Sequence, residues 1–311
     1  MLDILGYAAF FLTTALTYAL ICLGLNIQWG MTGLFNVGVA GFVAIGAYVS
    51  ALLTTPATAG RLGGFELPIL VGWCAGAGIA GLSAALLGAI TLRLRADYLA
   101  ITTFGIAVSI QLVALNAQAL TGGPFGIGFI PRPFASWADR PALFDGAHLL
   151  LTGAVLLAVF WAVERLARSP WGRVLRAIRE DEAAAEASGI DLLRYKLAAV
   201  ALSAALTAIG GTVLAFYDNN LYPDTIFATS RSVEIMISPI VGGLGSLMGP
   251  LIGAFMLTSL GEAMTALSSS FDIPGLKQWF YGAALLAIVT LKPSGLWPWM
   301  RDTLRLGGRK A

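Results

Sequence analysis

Uncharged apolar runs of about 20 residues, the length of a membrane-spanning helix, recur throughout this 311-residue sequence. Backbone polar groups inside a bilayer are satisfied only in helices or closed barrels. Only 12% of the residues are charged, against about 25% in soluble domains. We therefore predict an all-α, polytopic membrane protein in which residues 1–311 form a single transmembrane domain.

The hydrophobic pattern predicts about eight membrane segments. Two of them are rich in glycine, at about 30–54 and 232–265. The second is too long for one upright helix and too short for two, so we expect a re-entrant or broken pair. The first segment lacks a basic leading region and a cleavage site, so we expect it to be retained. The other segments are ordinary helices, at about 5–28, 67–92, 98–118, 148–166, 195–217 and 277–292.

Most Lys and Arg residues fall in three groups, at 93–95, at 165–196 and in the C-terminal tail. The loop at 119–147 contains only two. Because cytoplasmic loops carry the excess of basic residues, segment 165–196 and the C-terminus are predicted to be cytoplasmic and 119–147 to face outward. The side of the N-terminus is left open, because the first segment carries almost no charge.

One dense group of charges, GRVLRAIREDEAAAEASGIDLLRYK at 172–196, interrupts the apolar sequence. Ser169 and Pro170 suit a helix start, and Gly189 suits a left-handed helix end. A helix that only anchors to a membrane surface carries mainly basic charge, whereas this one mixes both signs and adds small alanines. Within about 168–194 we predict a cytoplasmic coupling helix that docks into a groove of a partner protein. An ordinary charged loop is the alternative.

The two Gly-rich stretches resemble each other weakly. They read GMTGLFNVGVAGFVAIGAY and VGGLGSLMGPLIGAF. Small residues let membrane helices pack closely, which is the simpler explanation for most of these glycines. Unwound backbone at membrane depth is also tolerated where it lines a cavity, and paired interrupted segments point to a translocation path. The residues expected to line such a path, with plain packing as the alternative at each position, are Thr32, Asn36, Gly243, Gly245 and Ser246.

Three blocks span nearly the whole chain: GLNIQWGMTGLFNVGVAGFVAIGAYVSALL at 24–53, LRLRADYLAITTFGIAVSIQLVALNAQALTGGPFGI at 92–127, and a third that begins SPWGRVLRAIREDEAAAEASGIDLLRYK at 169–196. The third block continues with EIMISPIVGGLGSLMGPLIGA and closes with LKPSGLWP. Together they resemble the permease subunits of ABC importers for branched-chain amino acids, the LivM-like subunit in particular. The third block is the most specific of the three.

The resemblance implies a non-enzymatic transport subunit of the bacterial inner membrane that moves branched-chain or other apolar amino acids. It implies a sister permease subunit, two cytoplasmic ATPase subunits and an external substrate-binding protein as partners, besides membrane lipid, and no cofactor, metal or nucleic acid. The sequence has no G-x-x-x-x-G-K-[ST] phosphate loop, so ATP hydrolysis is expected on partner chains. The resemblance assigns ATPase coupling to Gly172, Arg173, Arg176, Ala177, Arg179, Glu180, Asp181, Glu182 and Gly189.

Two alternatives stay open at this point. The first block departs from the family at Asn36 and Val39, where members often carry Ser and His, and related permeases carry urea or short amides. A stand-alone channel or secondary transporter is the second alternative. Ion-coupled carriers keep ionisable groups in the membrane, and Glu234 and Glu262 are the only candidates inside the segments. A membrane enzyme is disfavoured, because no Ser/His/Asp set, paired carboxylates or metal-ligand spacing is found.

Overall fold

The computed structural model describes residues 2–58, 60–94, 96–137, 139–226, 229–271, 276–291 and 295–307. Within these ranges the chain is predominantly helical, and β-pairing is limited to the isolated bridges Pro56–Phe65 and Ile127–Leu221. The all-α prediction is therefore confirmed for the described residues.

The helices follow one another with short connections. They are α1 Leu2–Asn26, α2 Val39–Thr54, α3 Ile69–Thr91, α4 Ala96–Asn116, α5 Gln118–Thr121, α6 Pro141–Arg168, α7 Pro170–Glu180, α8 Glu182–Ala187, α9 Leu192–Asp218, α10 Pro223–Ile226, α11 Thr229–Gly242, α12 Gly249–Phe271, α13 Leu276–Leu291 and α14 Leu296–Gly307. A π-helical turn, Ile27–Met31, continues α1.

Among the described residues, five helical spans are long and apolar enough to cross a membrane. They are Gly6–Met31, Ile69–Thr91, Tyr98–Asn116, Pro141–Arg168 and Leu192–Asp218. These spans match the predicted first, third, fourth, fifth and sixth segments. The shorter apolar helices Val39–Thr54 and Trp279–Ile288 match the second and the last.

The fifth segment begins earlier than its predicted start at 148. Pro141 takes the first helical position, where its missing N–H costs nothing. His148 therefore lies one to two turns inside α6, where it is buried. Its Nε2 lies 2.9 Å from the Pro133 carbonyl oxygen, and its ring contacts Phe144 and Tyr217.

Both Gly-rich stretches are interrupted, as predicted. In the first, residues 33–38 are non-helical between the π-helical turn and α2. In the second, residues 243–248 separate α11 from α12. The two helices of this second stretch pack against each other as a pair; that the pair is re-entrant or broken within a membrane stays a prediction.

Helix α9 lies at the centre of the bundle and packs against α1, α2 and α3. Glycine makes these contacts close. A Cβ on Gly211 would collide with the carbonyl of Val43 in α2, and a Cβ on Gly46 would collide with Ala208 in α9. The packing interpretation of glycine thus holds at these positions.

The bundle has two ends. The charged end carries residues 169–191, which join the last turn of α6 to the first turn of α9. At the opposite end Gly6 of α1 lies beside Asp145 of α6, and the rings of Phe10 in α1 and Tyr217 near the end of α9 lie 5.9 Å apart. The described beginning of α1 therefore lies at the same end as loop 119–147, a placement that the sequence had left open.

Candidate functional site

Helix α7 begins with the predicted cap. The Ser169 hydroxyl accepts a hydrogen bond from the Gly172 N–H at 3.4 Å, and Pro170 takes the first helical position. Gly172 is buried in the turn from α6, where a Cβ would collide with the backbone carbonyls of Leu166 and Ala167. These local features fold the charged segment back against the membrane helices.

The charged segment is two helices where the sequence predicted one. Asp181 adopts an extended conformation, and its carboxylate accepts the Ala184 N–H at 3.0 Å. This capping bond begins a new helix and changes its direction, because a capping residue lies outside the helical backbone region. Gly189 has a φ of 84°, as predicted for a left-handed helix end.

One face of these helices is buried and the other is exposed. Leu175 and Ile178 are buried against the bundle. Val174 is only half-buried. All predicted coupling residues lie in α7, α8 or their flanking turns. The exposed face carries charged and small side chains: Ala177, Glu180, Glu182, Ala183, Ala184, Glu186 and Ala187.

Two arginines of α7 turn back toward α6. Arg173 Nη1 donates to the Arg168 carbonyl at 3.3 Å, and Arg176 Nη2 donates to the Ala167 carbonyl at 2.8 Å. Cations favour the carbonyl end of a helix. Within the described ranges no side chain pairs with Glu180. The basic side chains thus hold α7 in place and leave this acidic group facing outward.

Arg179 joins α7 to both interrupted stretches. Its Nη1 donates to the Gly30 carbonyl in the π-helical turn. Its side chain lies against Gly33 and Gly245, which have φ values of 75° and 79°. Both positions favour glycine because of this left-handed backbone, and the missing Cβ leaves room for the guanidinium. We call residues 26–33, 179 and 243–248 the junction.

Asn26, which was not among the residues predicted from the sequence, holds the junction together. It is fully buried. Its Nδ2 donates to the Ser246 carbonyl at 3.0 Å, and its Oδ1 accepts the Gly245 N–H at 3.1 Å. An amide directly after the apolar run at 19–25 is the signal that could have identified it, since a buried amide needs partners.

The predicted path residues Thr32 and Asn36 are buried and hydrogen-bonded. Thr32 donates to the Gln28 carbonyl. Asn36 Nδ2 donates to Gln28 Oε1 at 3.3 Å, and its Oδ1 accepts the Gly38 N–H at 2.8 Å. Asn36 thereby orders the turn that leads into α2. That either residue lines a path stays a prediction.

Ser246 has the corresponding position before α12. Its hydroxyl donates to the Gly243 carbonyl and accepts the Gly249 N–H, both at 2.9 Å. The polar residue shared by the two Gly-rich stretches thus orders the start of the following helix in each case. Gly243, Gly245 and Ser246 all lie in the junction at the charged end.

Two cavities that share lining residues lie beyond the junction, nearer the opposite end. The first, about 320 Å³, lies among α1, α2, α9 and α11. The second, about 190 Å³, also borders α12 and α13. Arg231 of α11 separates them with the hydroxyl of Tyr18, to which it donates a hydrogen bond. Neither residue could be identified from the sequence, because only tertiary structure brings α1 and α11 together.

Proline breaks the regular hydrogen bonding of α11 between the cavity and the junction. Pro239 has no N–H, so the carbonyl of Ile235 lacks its usual helical donor. The thiol of buried Cys22 in α1 donates to that carbonyl, with the sulfur 3.6 Å from the oxygen. Helix α1 is therefore linked to α11 at Tyr18 and Cys22, and to the loop that follows α11 at Asn26.

The ion pair between Lys196 and Glu182 ties α8 to α9. Lys196 Nζ lies 2.5 Å from Glu182 Oε2, and the Lys196 side chain is only 10% exposed. Removing one partner of a buried pair leaves an uncompensated charge, which costs more than the loss of a surface pair.

Replacing Glu182 with glutamine is expected to lower the melting temperature of the purified protein, because it strands the buried Lys196 ammonium. The cost is about 1–2 kcal/mol, since Glu182 itself is half-exposed. Glu186→Gln, an exposed change on the same helix, is the control and should leave the melting temperature unchanged. Equal melting temperatures for both variants would contradict a stabilising role for this pair.

The chain has apolar helices long enough to span a membrane, two interrupted stretches, and surface helices that contact both interruptions. This combination is that of a polytopic membrane protein of the transport-permease class. Residues 7–289 match the family described as "Branched-chain amino acid transport system / permease component". The chain therefore belongs to this family.

Comparison with individual relatives supports the same family. The chain is 32% identical to the high-affinity branched-chain amino acid transport system permease protein LivM of Salmonella typhimurium, over 96% of this chain and 72% of that protein. It is 26% identical to the probable LivM of Methanocaldococcus jannaschii over 90% of each protein. It is 24% identical to the permease protein LivH of Escherichia coli, over 91% of this chain and 92% of that protein. No solved structure matches the chain.

Proposed function

We propose that this chain is the membrane-spanning subunit of an ABC importer that moves branched-chain or other apolar amino acids across the bacterial inner membrane. The similarity to LivM and LivH over nearly the whole chain supports the transport class. The observation that carries the mechanism is the contact of Arg179 with Gly30 and Gly245, because it joins the exposed charged helices directly to both interrupted segments.

Helices α7 and α8 are the coupling helices. Gly172, Arg173 and Arg176 hold them against α6, while Glu180 and the exposed alanines Ala183 and Ala184 contact an ATPase subunit. Small side chains let a helix seat deeply in a groove, and exposed acids attract a basic partner.

Asp181, Glu182 and Gly189 set the shape of the segment. Movement of the ATPase subunits is then transmitted by Arg179 to the junction.

The membrane arrangement follows from the placement of basic residues. With the charged end and the C-terminus in the cytoplasm, the N-terminus and loop 119–147 face outward. We propose about eight segments, counting the broken pair α11–α12 as one segment, and a single permease domain. Thr32, Asn36, Gly243, Gly245 and Ser246 form the cytoplasmic part of the path, which changes shape when the interrupted backbone moves.

The partners are a sister permease, two cytoplasmic ATPases and an external binding protein. Similarity to both LivM and LivH supports pairing of two related permeases, since each name belongs to a distinct permease protein of one transport system. ATP hydrolysis is assigned to the partner chains, and this chain carries neither a phosphate loop nor a cofactor motif.

The decisive experiment is reconstitution of the chain with its genomic neighbours in proteoliposomes. We expect ATP-dependent uptake of radiolabelled leucine that requires the binding protein. Uptake of urea or acetamide in place of leucine would support the short-amide alternative. Uptake by this chain alone, without ATP, would overturn the proposal in favour of a stand-alone carrier or channel.

Docking of the ATPase is tested separately with Ala183→Trp. The large ring should prevent α8 from seating in the ATPase groove, so that less than about a tenth of the ATPase co-purifies, a loss of roughly 1.4 kcal/mol or more in binding. Leu94→Trp, an exposed change in the turn between α3 and α4 at the same end, is the matched control. Full ATPase recovery with Ala183→Trp would remove α8 from the interface.

A further inference from the structure

The first cavity combines an apolar wall with two opposite charges. Its wall includes Ile21, Val43, Leu214 and Ile235. Asp218, the last residue of α9, and Arg231 of α11 also line it. Its volume of about 320 Å³ is at the small end of the range for small-molecule sites, about 300–1,000 Å³. An amino acid with an aliphatic side chain is a ligand of that size and polarity.

Arg231 retains hydrogen-bonding capacity toward the cavity. Its guanidinium donates to the Tyr18 hydroxyl and lies 3.8 Å from a carboxylate oxygen of Glu234. A guanidinium has five N–H donors in a planar fork, so some of the Arg231 donors remain available after these contacts. The side chain is 38% exposed. A planar fork is the preferred partner of a carboxylate.

Asp218 supplies the opposite charge. Asp218 is exposed at the mouth of the cavity. Among the described residues, no cationic side chain lies within 4.0 Å of its carboxylate. A carboxylate is the natural partner of an ammonium group. Arg231 and Arg132 act electrostatically on this carboxylate without forming an ion pair with it, so its oxygens stay available to a ligand ammonium.

We infer that this cavity binds the zwitterionic amino acid within the permease, with Arg231 on the α-carboxylate, Asp218 on the α-ammonium and the apolar wall around the side chain. This inference rests on the proposed amino-acid import and adds the place where the cargo is held. The cavity is far from the charged end: Asp218 lies about 36 Å along α9 from Arg194, at 1.5 Å per residue.

The same helices connect the site to the junction. From Arg231 to Gly242, α11 extends about 17 Å and reaches the loop that Arg179 and Asn26 contact. Helix α1 contributes Tyr18 to the cavity and Asn26 to the junction. A shift of α11 against α1 at the charged end therefore changes the Tyr18–Arg231 contact, and with it the shape of the site.

The test measures occupancy of the cavity without relying on transport. Asn220, an exposed residue at its mouth, is changed to cysteine in a Cys74→Ala background of the complete transporter in nanodiscs. Cys22 is retained because it is buried. We expect leucine to slow maleimide labelling of the new cysteine about threefold at a concentration twice its Kd. Unchanged labelling at saturating leucine would overturn the inference.

Two analogues test the charge pairing with no change in the cavity. 4-Methyl-2-oxopentanoate lacks the ammonium group and 3-methylbutylamine lacks the carboxylate, so neither should protect at the concentration at which leucine does. Equal protection by either analogue would overturn the zwitterion assignment. Asp218→Asn and Arg231→Gln should abolish protection by leucine, whereas Asp139→Asn and Arg140→Gln, exposed changes at the same end, should preserve it.

Uptake assays on the same preparations separate the two ideas. ATP-driven leucine uptake without any protection would overturn the cavity site alone. Absence of uptake from the fully assembled transporter would overturn the proposed function.

Discussion

Replacing Gly211 with alanine is expected to prevent stable packing of the central helix. Its added methyl group would overlap the carbonyl and side chain of Val43, so α9 and α2 must move apart. Overpacking costs about 1–3 kcal/mol, occasionally more, and a collision with backbone belongs at the upper end because backbone cannot rotate away. The measurement is thermal unfolding in detergent, followed as loss of the monodisperse peak in size-exclusion chromatography.

Gly78→Ala is the matched control. Gly78 lies in α3 with no heavy atom within 4 Å of the added Cβ, and alanine is a better helix former than glycine by about 1 kcal/mol. This variant should be as stable as the parent or slightly more stable. If Gly211→Ala also retained full stability, close approach of α2 and α9 would not be what requires glycine there.

Replacing Arg179 with alanine is expected to uncouple ATP hydrolysis from transport. The variant loses a charge-assisted hydrogen bond to Gly30, worth about 1.5–3 kcal/mol, and the contact with Gly245 that connects α7 to the second interruption. Leucine uptake by the reconstituted transporter should fall about tenfold or more, while ATP hydrolysis continues. Arg179→Lys should recover only part of the uptake, because an ammonium lacks the planar fork.

Arg194→Ala is the control for this uncoupling. Arg194 lies at the same end of the molecule, 86% exposed, and pairs only with nearby Asp191 among the described residues. Its loss should leave uptake within about twofold of the parent, as expected for an exposed pair. If Arg179→Ala supported normal uptake per ATP hydrolysed, the junction would not be the route by which motion passes.

Local features of the charged segment were predictable because they depend on neighbouring residues. Ser169, Pro170 and Gly189 mark helix boundaries through backbone geometry alone, and all three behave as predicted. The break at Asp181 was missed because alanine-rich sequence favours a continuous helix. The side chain of Asp181 instead caps α8, a choice that the helix-former pattern does not reveal.

The use of the arginines was less predictable. Arg176 and Arg179 lie one turn apart in a segment that looks like a solvated surface. In the structure Arg176 binds the end of α6 and Arg179 binds the π-helical turn at Gly30. Which carbonyl accepts each guanidinium depends on helices distant in sequence, so spacing alone could not separate positioning residues from outward-facing ones such as Glu180.

By itself, the sequence determined that this chain is an all-helical membrane protein with two interrupted stretches and one charged segment. These properties depend on apolar length, glycine content and charge placement, which are local. Only the tertiary structure decided that the charged segment contacts both interruptions through Arg179, and that Asp218 and Arg231 share a cavity. Both arrangements depend on which helices pack together. In a chain this apolar, many different helix pairings would satisfy the same hydrophobic pattern. Close contacts at glycine and hydrogen bonds between buried polar groups select one of these pairings.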